Sequence, residues 1–145
     1  MYSFIDVSPD RVAGGSRFLF WAMRGWSSAL ARDICPAASL AQAFVRKGMA
    51  PVLADFHKLM FVLNHREYRL IPFTERGIAR VTEFEAIMLS LWSDIAEGEH
   101  GRARATLGAF LDENWIEDVV TGMSDVVGHM ADIGLTPSRS LDLIS

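Results

Sequence analysis

The clearest pattern in the chain is a stripe of apolar positions near its C-terminus. Ile116, Val119, Met123, Val126, Met130 and Ile133 follow one another at spacings of three, four, three, four and three residues. That spacing places them on one face of a helix, and Val120 and Val127 widen the face. Asp118, Thr121, Asp125 and Asp132 fall on the opposite side, toward water. The pattern predicts one long helix over 112–135. Two residues can cap its start: Asp112 by itself, or Asn114 in a capping box with Glu117. Gly134, Leu135 and Pro137 form a stop signal. A face this wide must be covered by the rest of the chain or by a second copy.

Earlier segments repeat the helical period. Ser8-Pro9-Asp10 has the form of a helix start. From Ser16 to Arg32, Leu19, Met23, Trp26 and Leu30 make one apolar face, extended by Phe18, Trp21 and Ala22. Arg17, Arg24, Ser28 and Arg32 fall opposite. Phe20 turns toward the polar side, where it would mark a contact surface. Pro36 opens a second helix, to about Lys47, with Leu40, Phe44 and Val45 facing in and Gly48 ending it. Pro51 opens a third, to about Asn64, apolar nearly all round and therefore central. Residues 65–80 read as an extended loop carrying Arg66, Arg69, Arg76 and Arg80. Thr82-Glu83-Phe84-Glu85 is a capping box. It opens a helix to about Glu97 with Phe84, Ile87, Met88, Leu91, Trp92 and Ile95 on one face. A short helix spans 100–111. The expected fold is all-α: one domain over 1–145, a compact bundle of five or six mostly antiparallel helices with no significant sheet. Residues 1–8 and 136–145 are expected to be loosely ordered tails.

Between Thr82 and Leu135 the order is a capped helix, Ala-Glu-Gly-Glu, a short helix, an acidic turn and a long helix ending in Gly-Leu. This order resembles the C-terminal part of small helical bacterial proteins of no assigned activity. The resemblance covers about a third of the chain, and implies no function and no site residues.

Composition agrees with an ordered globular chain: half of the 145 residues are apolar and 22% are charged. Cys35 is the single cysteine, so no internal disulfide can form, which fits a reducing compartment. No basic region or apolar run of signal-peptide length opens the chain. No apolar run is long enough to span a bilayer. A soluble, cytoplasmic protein is expected. The preference for arginine over lysine, 12 to 2, suggests a GC-rich bacterial source.

Charge changes the picture more. Residues 1–80 hold 11 Arg or Lys against 6 Asp or Glu, whereas residues 81–145 hold 3 against 12. Such asymmetry serves a partner, the two halves of one fold, or two copies packed head to tail.

The candidate chemistry is sparse. Cys35 precedes Pro36 at a helix start, where the dipole favours a thiolate. The Cys-Pro pair resembles the short motif by which some regulatory proteins take haem. His57, in the most apolar helix, is the companion candidate, either as a second ligand or as a buried acid–base group. Against this, Cys35 is also an ordinary small residue at a helix boundary, and His57 an ordinary core-margin histidine. His129 lies between Asp125 and Asp132 at helical spacing, but two-ligand sets are too common to define a metal site. Asp112, Glu113, Glu117 and Asp118 are explained by their place at a helix start. No phosphate-binding glycine loop, dinucleotide fingerprint, nucleophile elbow, Cys-x-x-Cys or His-Glu-x-x-His is present.

The expected function is a non-enzymatic interaction or regulatory module, self-associating as a homodimer through apolar helix faces, with no catalytic residues and no metal. The first alternative is a small-molecule or haem sensor using Cys35 and His57. The second is a helix–turn–helix nucleic-acid binder around Gly48. Nucleic acid is the less favoured partner, because the entering helix, Pro51 to Asn64, has few side chains able to read bases.

Overall fold

The computed structural model describes residues 14–65 and 83–138. Six helices are present: α1 (Gly14–Ala31), α2 (Pro36–Arg46), α3 (Leu53–His65), α4 (Glu83–Ala96), α5 (His100–Leu107) and α6 (Glu113–Asp132). A short 3-10 turn, Ala50–Val52, leads into α3. No strand occurs among the described residues. The fold is an all-α bundle.

The C-terminal stripe is covered from within the chain. Val119, Val120, Met123, Val126, Val127 and Met130 are all buried. They close against α3 on one side and α4 on the other. Asp112 provides the cap, its side chain accepting from the Asn114 N–H at 3.3 Å. Glu117 does not reach back to Asn114; it pairs with Arg104 of α5 instead. Gly134 takes the left-handed conformation at φ 77°, and the Leu135 N–H returns to the Met130 carbonyl at 2.8 Å. That closure is the helix stop the sequence announces.

α3 is the central element, packed on α6 and α2. Phe56 shows why an all-round apolar helix was needed. Its ring lies between Phe44 of α2 at 5.4 Å and Trp92 of α4 at 6.4 Å. Phe56 is fully buried, so Phe56→Ala would cost about 3–5 kcal/mol.

α1 departs from its expected orientation. Arg24, expected in water, is fully buried against Glu85 of α4. Phe20, expected on the polar side, is also fully buried, with its ring 4.2 Å from the Arg24 guanidinium carbon. Leu30, expected inside, is 45% exposed. One cause accounts for all three: the buried ion pair draws the Phe20–Arg24 edge of α1 inward, and Leu30 turns outward in exchange. Val45 is likewise corrected from inward-facing to 65% exposed.

The chain between α1 and α2 turns on Asp33, which holds φ 60° without being glycine. Its neighbour Ile34 donates its N–H to the Ala29 carbonyl at 2.9 Å, closing α1. Pro36 then stands in the first turn of α2.

The end of the described chain is fastened, contrary to the expectation of a loose tail from residue 136. Ser16 Oγ donates to the Ser138 carbonyl at 2.9 Å and accepts from the Ser138 N–H at 3.0 Å. Pro137 is buried beside them. Gly15 makes this approach possible, since a Cβ there would lie 1.8 Å from the Leu135 carbonyl oxygen. The Ser8-Pro9-Asp10 start, the loop arginines and Thr82 of the capping box lie outside the described residues.

Candidate functional site

The structure disperses the residues that the sequence put forward for chemistry. Cys35 is exposed at the N-cap of α2 and makes no side-chain capping bond. His57 sits in α3, half-buried, and is already engaged. Its Nδ1 accepts the indole N–H of Trp26 at 3.0 Å. Its ring also packs against Phe61, centroids 6.1 Å apart. An accepting Nδ1 places the ring proton on Nε2. Ligation through Nε2 would shift that proton to Nδ1 and break the Trp26 bond.

His129 is committed in the same way. Its Nε2 meets the Gly48 carbonyl at 2.6 Å, tying the end of α6 to the turn before α3. Among the described residues no three His, Cys, Asp or Glu side chains converge on a point that could hold a metal ion. The acidic start of α6 is also put to structural use. Arg104 Nε donates to Glu117 Oε2 at 2.6 Å. That hydrogen bond, more than simple attraction, holds the Glu117 carboxyl below its ordinary range and raises the guanidinium in turn.

The helix pair around Gly48 is not free to enter a nucleic-acid groove. α3 is enclosed by α6 and α2, and of its residues Ala54, Lys58 and Phe61 face outward. One of those three carries a hydrogen-bond donor.

Two concave surfaces remain. One, of about 270 Å³, lies between α3 and α6. Asp55, Asp118 and Asp125 line it with Lys58 and Trp115. The other, of about 440 Å³, lies between α1 and α2. Leu40 and Phe44 form its buried floor, and Phe18 and Trp21 its wall. Phe18 meets Phe44 edge to face at 5.1 Å, which makes the floor a continuous aromatic surface. Arg17, Arg46 and Lys47 stand at its rim, and no carboxylate lines it among the described residues.

No protein-family model matches the chain, and no curated protein or solved structure matches it either.

The α1–α2 groove is the feature that the sequence reading missed. Its signal was present as Arg17-x-x-x-Trp21, an aromatic residue one turn from a cation on a face otherwise read as solvent or core. Periodicity assigned Trp21 to the interior. The structure leaves it 36% exposed as a groove wall. Among the described residues no helix is long and apolar enough to cross a membrane.

Proposed function

We propose that this protein is a non-enzymatic interaction module that associates with a second copy of itself. The face that does so is not the α6 stripe, which the bundle already covers. One observation carries the reading: three large apolar side chains stay exposed near the end of α1. Leu30 is 45% exposed, Ile34 46% and Phe61 43%. Phe61 packs edge-on to Trp26 at 6.5 Å, and Leu30 follows Trp26 by one turn. Scattered surface apolar residues are ordinary; a group of three around one buried tryptophan is the kind of patch that marks contact between proteins.

Charge supports the same reading. Arg24–Glu85 joins the basic and acidic halves, while Arg102–Asp94 and Arg104–Glu117 lie within the acidic half. A molecule with one basic and one acidic side orients a second copy on approach.

Light scattering on the eluting protein tests this. The expected mass at micromolar concentration is that of two chains, falling to one chain in Phe61→Asp. A single-chain mass for the unaltered protein would overturn the proposal.

A further inference from the structure

We infer that the α1–α2 groove is a binding site for a single-tailed anionic amphiphile, a medium-chain alkyl carboxylate. The inference is independent of self-association, because it rests on different residues.

Polarity along the groove carries it. α1 and α2 run antiparallel, as the Phe18–Phe44 contact between the start of one and the end of the other requires. Arg17 near the start of α1 and Arg46 and Lys47 at the end of α2 therefore gather at one end of the groove. Trp21, Ala22 and Leu40 lie at the other, with Phe18 and Phe44 between. The site has a cationic head region and an apolar tail region. An amphipathic helix would ask for charges along both flanks, not for three cations at one end. An alkyl carboxylate asks for this arrangement.

Size agrees. The groove holds about 440 Å³, within the range of small-ligand sites, which are mostly apolar with a few placed polar groups. From Gly14 to Trp21 the groove follows α1 for about 11 Å, at 1.5 Å per residue. That length suits a tail of medium size and is short for a long acyl chain.

The helix dipoles sharpen the argument. Arg46 and Lys47 stand at the negative end of α2, where cations are favoured in any protein. Arg17 stands in the first turn of α1, at the positive end, where a cation is disfavoured. No acidic residue occupies that turn. An anionic head at this end would meet both the α1 dipole and the Arg17 charge. The tail would lie across the Phe18 and Phe44 rings and reach Trp21.

Decanoate, below its micelle concentration, is titrated into the full chain by calorimetry, with tryptophan emission read in parallel. Binding to one site per chain is expected, with an emission change that disappears in Trp21→Phe. Decyltrimethylammonium, with the same tail and the opposite charge, is expected to bind at least tenfold more weakly. The exposed pair Arg46→Glu/Lys47→Glu is expected to weaken decanoate at least tenfold while keeping an unchanged helical circular-dichroism spectrum. Equal binding of the two amphiphiles, or an unchanged affinity in the double variant, would overturn the inference. So would an emission change that persists in Trp21→Phe. Failure to bind decanoate overturns it as well. In that case, pelleting with phosphatidylglycerol vesicles would assign the groove to a membrane surface. Loss of a two-chain mass in the double variant would assign it to a second copy.

Discussion

Both carboxylate oxygens of Glu85 receive the guanidinium of Arg24. Arg24 Nε lies 2.6 Å from Oε2, and Arg24 Nη2 lies 2.8 Å from Oε1, with neither side chain more than 1% exposed. The pair joins α1 to α4 across 61 positions of sequence. Removing one member leaves the other charged in the interior, a change that costs about 3–5 kcal/mol. Arg24→Met and Glu85→Gln are each expected to fall in that range by urea unfolding. Arg24→Met combined with Glu85→Leu is expected to recover most of the loss. Arg24→Lys is expected to remain destabilised, because an ammonium cannot reproduce the fork.

Gly15 allows the chain after α6 to cross α1. Gly15→Ala would set a methyl group against the Leu135 carbonyl. A clash with backbone has no flexible side chain to absorb it, and overpacking of this kind costs about 1–3 kcal/mol. Faster hydrogen exchange at the Ser138 amide, which Ser16 Oγ accepts, is the expected sign. Ser16→Ala is expected to speed the same amide without the clash. An unchanged exchange rate in both would refute the fastening.

His57 serves Trp26 as a hydrogen-bond acceptor. In His57→Ala the buried indole N–H loses its partner, a change expected to cost about 1–3 kcal/mol. His57→Asn places an oxygen near the position of Nδ1 and is expected to restore part of the loss. The Trp26 indole proton resonance reports the bond directly, moving upfield in the alanine variant and returning toward its place in the asparagine variant.

Glu117 provides a pH signature. Its carboxyl is held below the usual 4.5, first by the hydrogen bond from Arg104 and then, against slight desolvation, by the charges of Arg104 and His100. A carboxyl whose value is lowered on folding stabilises the protein above its unfolded value. That contribution is lost as pH falls through the folded value. The difference in urea midpoint between the natural protein and Glu117→Gln should be full at neutral pH and shrink toward zero by about pH 3. A difference that does not change with pH would show that the contact acts through packing alone.

Asp33 holds a left-handed conformation at φ 60°. An L-residue there carries about 1–2 kcal/mol that glycine avoids. Asp33→Gly is expected to raise the thermal midpoint, the added chain entropy of glycine offsetting part of the gain.

Helical periodicity was enough to read the six helices, the central place of α3 and the capped start and glycine stop of α6. Those features depend on local spacing, which sequence displays. What spacing hides is which of two opposed faces a long-range partner claims. Arg24 reads as solvent-facing until Glu85 arrives from 61 positions away. Glu85 itself reads as a capping residue, because its Thr-x-x-Glu setting is a local pattern. The pairing turned α1, buried Phe20 and exposed Leu30. The candidate site was harder still. Cys35 and His57 drew notice as reactive residue types, yet one is a plain N-cap and the other holds an indole. Trp21, Arg17, Arg46 and Lys47 drew none, because a groove depends on how two helices lie together. No short motif encodes that.

The Ser16–Ser138 fastening also has a topological consequence. The first and last described stretches meet side by side, so the backbone traces a nearly closed ring. A short linker between them could therefore join those ends, and a new opening could be cut at Gly98, where φ is 78° and a Cβ would meet nothing. A permuted chain of this kind would keep every helix whole while reversing the order in which the basic and acidic halves leave the ribosome.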